Sequence, residues 1–281
     1  MNANLSVIIP TLNNVKGLKY LLEFFKDKEI QIIVVDNKPE EEKQKFIKFI
    51  KLENYKEKLI YLPQKNNLGF AWSINLGAKL VKSKWLLILN DDIEFENDQL
   101  INKLYMYTKN KKLTALSPIL VNPRGQVENL GYKVLPIGRV ELVKQFLIFN
   151  PPAGGQFSNI DGLTAACLLI KTSVFKKLRG FDESFFAYLE DVDFFLRFKK
   201  AGYKMTVSNN IKALHNHMTT SKTMGNFKAR QDMINWWRLY FKHKDRFKFN
   251  FQFIAERLKN VSGFLKATFS SFFFFQRNVR G

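Results

Sequence analysis

The apolar run Leu5-Ser6-Val7-Ile8-Ile9, which ends at Pro10, predicts a buried β-strand near the start of the chain. A second run, Gln31-Ile32-Ile33-Val34-Val35, ends at the turn-forming stretch Asp36-Asn37-Lys38-Pro39. Between the two runs, four apolar residues have the spacing of an amphipathic helix: Leu18, Leu21, Leu22 and Phe25. This order of strand, helix and strand predicts a βαβ unit with parallel strands.

The alternation of strands and helices continues along the chain. The pattern predicts helices at residues 40–52, 71–81 and 190–201, and strands at residues 59–62, 85–89, 163–171, 204–207 and 211–214. The stretch 117–161 is rich in proline and glycine, and we expect loops and irregular strands there. The fold class is therefore predicted to be α/β, with a mostly parallel central sheet flanked by helices.

The chain is strongly basic, with 45 Lys and Arg residues against 25 Asp and Glu residues and a formal net charge of +20. This surplus favours an anionic partner such as a nucleotide, nucleic acid or acidic lipid headgroups, although the coding bias of an AT-rich genome would also raise the lysine content. In the basic and aromatic C-terminal segment, five residues have helical spacing: Met233, Trp236, Trp237, Tyr240 and Phe241. We predict a domain at residues 1–221, with halves at 1–116 and 117–221, followed by a helical extension at 222–281.

Cysteine usage and hydropathy bear on the compartment. Cys167 is the only cysteine, which excludes an intrachain disulfide, and its apolar neighbours predict a buried thiol. The sequence shows no signal-peptide pattern and no stretch of the ~20 apolar residues that span a bilayer. We therefore expect a cytoplasmic protein.

Polar side chains follow four of the predicted strands, where the ligand crevice of a parallel sheet lies. They belong to the stretches Pro10-Thr11-Leu12-Asn13, Asp36-Asn37, Asn66-Asn67-Leu68-Gly69 and Asn90-Asp91-Asp92. Backbone N–H groups of the third stretch precede a helix and could receive a pyrophosphate. The sequence therefore predicts a binding site at this sheet edge.

The cluster Asn90-Asp91-Asp92 follows a buried strand, where clustered carboxylates repel each other unless solvent or a cation satisfies them. Mg²⁺ and Mn²⁺ are held by one or two protein carboxylates while phosphate oxygens complete their coordination. A solvated turn explains the same residues equally well. His215 and His217, which follow another strand, are further candidate ligands.

The cluster Glu190-Asp191-Val192-Asp193 falls in the first turn of a predicted helix. Negative charge stabilises a helix N-terminus, so these residues have a sufficient structural explanation. Asp191, however, shares a helix face with Phe195 and Phe198, which turns its carboxylate toward the apolar stripe. A carboxylate at the edge of an apolar cleft is a candidate general base.

Taken in order, these motifs resemble the family 2 glycosyltransferases, particularly their rhamnosyltransferase-like bacterial branch. The resemblance covers residues 5–221. It is carried by Ser6-Val7-Ile8-Ile9-Pro10-Thr11-Leu12-Asn13, Val34-Val35-Asp36-Asn37, Asn67-Leu68-Gly69-Phe70-Ala71 with Asn75, Leu89-Asn90-Asp91-Asp92, Gly180-Phe181-Asp182-Glu183, and Glu190-Asp191-Val192-Asp193 through Arg197 to Ala201-Gly202-Tyr203.

The resemblance implies a GT-A type, Rossmann-like fold, a nucleoside-diphosphate sugar donor, a divalent metal (Mg²⁺ or Mn²⁺) and inversion at the anomeric carbon. By matching positions, Asp191 would be the base. The nucleotide-sugar would contact Pro10, Thr11, Asn13, Asp36, Asn67, Gly69, Asn75 and Asp91. The metal would be held by Asp92, His215 and Asn90, with His217 as a substitute for His215. Residues 1–116 would form the nucleotide-sugar-binding half and residues 117–221 the acceptor half.

Three stretches depart from the family pattern. Asn90 stands where many members have the first Asp of a DxD motif, and Lys38-Pro39 replaces the usual small hydroxyl residues after Asp36-Asn37. The first departure removes one charge from the metal site, and the second alters the nucleobase contacts. The third is Asn216-His217-Met218-Thr219-Thr220-Ser221, which follows His215 without the glycine often found there and makes His217 a substitute ligand.

We therefore expect a metal-dependent hexosyltransferase that uses dTDP-rhamnose or a UDP-sugar and glycosylates a glycan or lipid-linked acceptor in bacterial surface polysaccharide synthesis. The alternative is a basic protein that binds nucleic acid or a membrane surface without catalysis. It leaves the converging acidic residues unexplained, so we expect no nucleic-acid partner. A sugar-nucleotide pyrophosphorylase would carry a glycine-rich basic loop where this chain has Pro10-Thr11-Leu12-Asn13. The extension either contacts an anionic membrane peripherally or packs on the domain.

Overall fold

A computed structural model describes residues 4–37, 55, 58–95, 99–108, 113–145, 160–216 and 227–279. The strands are β1 (Leu5–Thr11), β2 (Gln31–Asp36), β3 (Leu59–Pro63), β4 (Trp85–Leu89), β5 (Ile93–Phe95), β6 (Ala115–Val121), β7 (Val127–Asn129), β8 (Tyr132–Leu135), β9 (Arg139–Leu142), β10 (Cys167–Lys171) and β11 (Met205–His215). The helices are α1 (Val15–Phe25), α2 (Phe70–Leu80), α3 (Gln99–Thr108), α4 (Thr172–Lys177), α5 (Glu190–Lys200), α6 (Phe227–Lys242) and α7 (Phe251–Val279).

Within these residues, nine strands form one sheet in the order β3-β2-β1-β4-β10-β6-β11-β5, with β7 paired to β6. The pairs β2–β3, β1–β2, β1–β4 and β6–β11 are parallel, whereas β10 is antiparallel to β4 and β6. Strands β8 and β9 form a separate hairpin. The prediction of an α/β fold with a central sheet is confirmed. The sheet is mixed, because β5 and β7 are also antiparallel to their neighbours, so that four of its eight described strand pairs are antiparallel.

Helices cover both faces of the sheet because its strands are apolar on both sides. In β1, the side chain of Ile8 joins one hydrophobic cluster, whereas Val7 and Ile9 join the cluster on the opposite face. Leu18 of α1 belongs to the second cluster and Ile74 of α2 to the first. This arrangement leaves the strand ends at the sheet edge to carry polar groups.

Four predicted elements differ from the observed ones or lie outside the described residues. The helix predicted at 40–52 lies outside the described residues. The strand predicted at 163–171 begins only at Cys167. The two strands predicted at 204–207 and 211–214 are a single strand, β11, whose pairing with β6 is irregular between Val207 and Lys212. There the Ser208 hydroxyl accepts hydrogen bonds from the N–H groups of Asn210 and Ile211.

The C-terminal extension packs on the rest of the protein. Helix α6, predicted from its spacing, buries Trp236 and Leu239 against the main hydrophobic cluster. The next turn places the Arg246 guanidinium 2.9 Å from the Val134 carbonyl oxygen, and Phe253 at the start of α7 is fully buried. None of the helices in the described part of the chain combines the length and apolar character needed to cross a membrane.

Candidate active site

A cleft of about 770 Å³ opens where β1 and β4 end. Nine of the residues predicted for the site line it: Pro10, Thr11, Asn67, Gly69, Asn90, Asp91, Asp92, Asp191 and His215. Three others do not, namely Asn13, Asp36 and Asn75. The topology therefore brings the two acidic clusters, which lie about 100 residues apart in the sequence, into one cavity.

Asp91 is tied to the loop that follows β1. The Thr11 hydroxyl donates to Asp91 Oδ2 at 2.6 Å, and the Asn14 side-chain amide donates to the Asp91 carbonyl at 2.9 Å. A Cβ on Gly17 would lie 1.8 Å from that carbonyl oxygen, so only glycine permits this approach of α1. Burial raises the pKa of Asp91 to about 7, although the Thr11 hydrogen bond acts in the opposite direction.

Asp92, which follows β4, lies close to His215 at the end of β11. His215 Nε2 lies 3.4 Å from Asp92 Oδ1, and His215 Nδ1 lies 3.5 Å from Glu128 Oε2. Both Asn90 Oδ1 and Asp92 Oδ1 are buried. Within the described residues, the first has no hydrogen-bond partner and the second has only its ion pair with His215. Buried oxygens in this condition are costly, and a hard cation would satisfy them.

The described residues contain no group of three or more His, Cys, Asp or Glu side chains placed to hold a metal. Mg²⁺ takes few protein ligands, chiefly oxygens, and completes its shell with water and phosphate oxygens. Asn90, Asp92 and His215 thus fit a metal that arrives with a diphosphate. His217 lies outside the described residues.

Asp191 stands in the first turn of α5, as predicted, and its carboxylate faces the cleft. Its Oδ1 accepts a hydrogen bond from the Val192 N–H at 2.8 Å, and its Oδ2 accepts a long one from the Ala165 N–H at 3.4 Å. Burial raises the pKa of Asp191. The same desolvation raises the pKa of Glu190, and the charge of Asp191 raises it further.

Glu190 was predicted only as a helix-stabilising residue, yet it also lines the cleft. Its side chain is only 7% exposed, and its Oε2 is buried without a hydrogen-bond partner. Two adjacent buried carboxyls therefore share this corner of the cleft. Their mutual repulsion favours a state in which one of them keeps its proton.

The turn before α5 has an unusual backbone. Tyr188 and Leu189 both have φ of 67°, in the left-handed region that side chains other than glycine and asparagine rarely adopt. Asn235 of α6, which is fully buried, donates from its amide to the carbonyls of Ala187 and Tyr188 at 2.9 and 2.8 Å. The C-terminal extension therefore stabilises the turn that positions Asp191.

Asp193 has a structural role. Its buried carboxylate lies 2.8 Å from His243 Nε2 and Lys242 Nζ, and Arg197 Nε donates to it at 2.9 Å. Burial alone would raise the pKa of Asp193, but these three groups hold it below its ordinary value. Asp193 therefore joins α5 to the end of α6.

The three predicted residues that lie away from the cleft have other surroundings. Asp36 is 2% exposed and accepts a hydrogen bond from the Tyr61 hydroxyl at 2.5 Å. The Asn75 side chain bonds to the backbone of Phe181: its amide donates to the Phe181 carbonyl at 2.8 Å, and its oxygen accepts from the Phe181 N–H at 3.0 Å. Asn13 is exposed at a φ of 62°. Beside β2 the cleft is instead lined by Asn37, which the sequence placed at this sheet edge without assigning it a contact.

One wall of the cleft was not predicted from the sequence. It is formed by the β8–β9 hairpin, α6 and α7, and its residues include Tyr132, Arg139, Trp236, Arg257 and Asn260. The helical spacing around Trp236 was the available signal, but spacing shows that a face is apolar and does not show which cavity it borders.

Comparison with known proteins assigns the chain. Residues 6–179, more than half of its length, match the profile of the family described as Glycosyl transferase family 2. The chain belongs to glycosyltransferase family 2. The family resemblance seen in the motifs is thereby confirmed.

Curated relatives of this family member are distant. The low-salt glycan biosynthesis hexosyltransferase Agl10 of Haloferax volcanii is 24% identical over 217 residues, which cover 76% of this chain and 67% of the relative. N-acetylglucosaminyl-diphospho-decaprenol L-rhamnosyltransferase of Mycobacterium tuberculosis is 25% identical, and the match spans 55% of this chain and 57% of the relative. Rhamnosyltransferase WbbL of Escherichia coli is 25% identical over 52% of this chain and 60% of the relative.

Solved structures place this glycosyltransferase in the GT-A fold. The mannosyltransferase PcManGT of Pyrobaculum calidifontis, in complex with GDP-Man and Mn²⁺, superposes with a TM-score of 0.60 at 12% identity over 94% of this chain and 73% of that one. S. aureus TarS gives a TM-score of 0.58 at 17% identity over 95% of this chain and 43% of that one. These likenesses confirm the predicted fold.

Proposed function

We propose that the protein is an inverting glycosyltransferase that moves a sugar from a nucleoside diphosphate to a hydroxyl of a glycan or lipid-linked acceptor. The observation that carries this proposal is that Asp191, with its raised pKa, lines one cleft together with Asp92 and the loop after β1. A base and a diphosphate site within one cavity are what an in-line displacement requires.

In the proposed reaction, Asp191 Oδ accepts the proton of the acceptor hydroxyl while that oxygen attacks the anomeric carbon. The bond from the anomeric carbon to the donor diphosphate breaks on the opposite face, so the configuration inverts. The backbone N–H groups of Val192 and Ala165 hold the carboxylate, and its burial makes it a stronger base than an exposed aspartate. No general acid is needed, since the diphosphate leaves as an anion.

A divalent metal, Mg²⁺ or Mn²⁺, would be held by Asp92, His215 and Asn90. When bound, it would supply positive charge that offsets the charge of the leaving diphosphate. Support comes from the unsatisfied buried oxygens of Asp92 and Asn90. Two similar structures, those of PcManGT and GalNAc-T7, were solved with Mn²⁺.

The donor is proposed to be dTDP-rhamnose or a UDP-sugar, in the synthesis of a bacterial surface polysaccharide. The relatives' names support rhamnosyl or hexosyl transfer, and one of them describes an acceptor joined to a lipid through a diphosphate. Asn37, Asn67 and Gly69 line the cleft and would surround the nucleotide in this proposal. A glycine is required at position 69, where φ is +88° and a Cβ would lie 2.3 Å from the Phe186 carbonyl oxygen.

The donor proposal is tested by thermal shift with UDP, GDP and dTDP sugars, each with and without Mn²⁺. We expect one nucleotide class to raise the melting temperature, with a larger rise in Mn²⁺. Asp92→Asn should remove the Mn²⁺-dependent part, whereas Asp245→Asn, a surface control, should keep it. The proposal fails if no nucleotide sugar shifts the melting temperature under either condition.

We further propose that α7 contacts an anionic membrane peripherally from the cytoplasm. Phe251, Leu258 and Leu265 recur at intervals of seven residues on α7 and are 86%, 63% and 49% exposed, in a strongly basic chain. Co-sedimentation with phosphatidylglycerol vesicles tests this. Binding should fall in Phe251→Ser/Leu258→Ser, and equal sedimentation of wild type and variant would contradict it.

A further inference from the structure

The wall formed by α7 and the β8–β9 hairpin contains an arginine in an unusual environment. The Arg257 side chain lies with its guanidinium carbon 4.3 Å from the ring centre of Trp236 and 4.9 Å from that of Phe253. Its Nη2 donates to the Gly138 carbonyl oxygen. Arg257 is only 5% exposed, yet its Nε and Nη1 have no hydrogen-bond partner among the residues that the structure describes.

The two neighbouring acids, Glu256 and Asp232, form their ion pairs with other cations. Glu256 lies 2.7 Å from Lys259 Nζ and 3.8 Å from Arg139 Nη1, and Asp232 lies 2.8 Å from Lys228 Nζ. Burial lowers the pKa of Arg257 to about 10, which still leaves the guanidinium charged at neutral pH. A buried guanidinium with two unused donors is costly unless a ligand accepts from them.

The backbone around Arg257 is shaped to hold it in place. Gly138, at the tip of the hairpin, has φ of +74°, and a Cβ there would lie 2.6 Å from Phe253 and 3.0 Å from Arg257 Nη1. Asn260, one turn farther along α7, lines the same cleft, and its Oδ1 is also buried without a partner. Two N–H-bearing nitrogens of Arg257 and the side-chain oxygen of Asn260, one helical turn apart, are therefore without hydrogen-bond partners among the described residues.

We propose that Arg257 binds a phosphate of the acceptor, while Asn260 Oδ1 accepts a hydrogen bond from a hydroxyl of the sugar next to that phosphate. A planar guanidinium presents paired N–H groups that match phosphate oxygens. Helix α7, which carries both residues, is distinct from the loops after β1 and β4 that carry the candidate donor and metal residues. The assignment to the acceptor rests on the proposed function, whereas the phosphate site itself does not.

The test is calorimetric titration of the full chain with inorganic pyrophosphate, in the presence of saturating UDP or dTDP to fill the donor site. Pyrophosphate is expected to bind alongside the nucleotide, and Arg257→Gln is expected to weaken this binding by about tenfold or more. Arg230→Gln, which removes the same charge from an exposed position on α6, should bind pyrophosphate as the wild type does. If the nucleotide displaces pyrophosphate, or if Arg257→Gln binds it normally, the proposal is overturned.

A second variant guards against a folding defect in Arg257→Gln. Asn260→Asp keeps the side-chain size and an acceptor oxygen but adds a negative charge beside the site, so it should also weaken pyrophosphate binding by about tenfold. Unchanged pyrophosphate binding in Asn260→Asp would overturn the proposal. Because these titrations need no sugar transfer, they can fail while donor-sugar activity persists, which separates this inference from the proposed function.

Discussion

Asp191 and Glu190 show how the surroundings of a carboxyl group change its pKa. Both carboxyls begin the same helix, where the helix dipole favours negative charge. Burial nevertheless raises both pKa values, and the charge of Asp191 raises that of Glu190 further, so that each carboxyl keeps its proton to a higher pH than an exposed one does. Asp191, the proposed base, therefore lies at the cleft wall, where its carboxylate is less stabilised and more basic than that of an exposed aspartate.

The raised pKa of Asp191 predicts the direction of the pH dependence. Asp191 must be deprotonated to act as a base, so kcat/KM should fall as the pH decreases. This fall should occur well above pH 3.9, the ordinary pKa of aspartate. The measurement is the pH profile of kcat/KM for donor turnover, with Asp245→Asn as a control of unchanged profile. Activity that stays constant down to pH 4 would contradict the assignment.

At the scale of elements, α6 stabilises the turn before α5 that positions Asp191, the proposed base. Asn235→Ala removes the two N–H donors to the carbonyls of Ala187 and Tyr188, so the turn with left-handed Tyr188 and Leu189 should relax and Asp191 should shift. We expect kcat to fall by about tenfold with little change in nucleotide affinity. Steady-state kinetics and nucleotide titration measure the two quantities.

The control for Asn235→Ala is Asn250→Ala, which removes the side-chain acceptor for the Phe253 N–H at the start of α7. It should cost about 1 kcal/mol of stability while leaving kcat intact. Equal loss of kcat in both variants would mean that general destabilisation, and not the turn, lowers the activity.

The junction between α5 and α6 depends on Asp193. Asp193→Asn should lower the free energy of unfolding by about 3 kcal/mol, because it leaves the cations of Lys242 and Arg197 without their buried partner. Since the folded-state pKa of Asp193 is depressed, its contribution is present above pH 3.9 and is lost as the pH falls below it. Urea unfolding at pH 7 and pH 3 measures both effects. An equal change for Asp245→Asn, whose partner Lys200 is exposed, would contradict them.

At the scale of the whole molecule, the half of the fold from β1 to β4 was predictable because each apolar run and helix is a local pattern. The sheet edge followed from the rule that parallel strands end on one side, which placed Thr11, Asn67 and Asp92 there, as the cleft lining has them. Asp191 was proposed instead from its place on a helix face and from the family resemblance. The insertion of antiparallel β10 between β4 and β6 was not predictable, since such pairing depends on contacts distant in sequence.

The same reason explains the site residues that sequence reasoning missed. Glu128 and Arg257 reach the cleft region from segments that carry no motif, and only tertiary packing places them there. Asn75 and Asp36 belong to the family motifs, but their polar groups bond within the fold, to Phe181 and Tyr61. A motif thus identifies a neighbourhood, and the packing decides which of its side chains face the ligand.

The central claim is that Asp191 is the base of a sugar transfer within this cleft. Its most direct test is the rate at which Asp191→Asn transfers or hydrolyses the nucleotide sugar that the thermal-shift panel identifies, compared with the wild type and Asp245→Asn. We predict that kcat falls by about 10² to 10⁴ in Asp191→Asn while the affinity for the nucleotide is retained. Undiminished turnover in Asp191→Asn would contradict the claim.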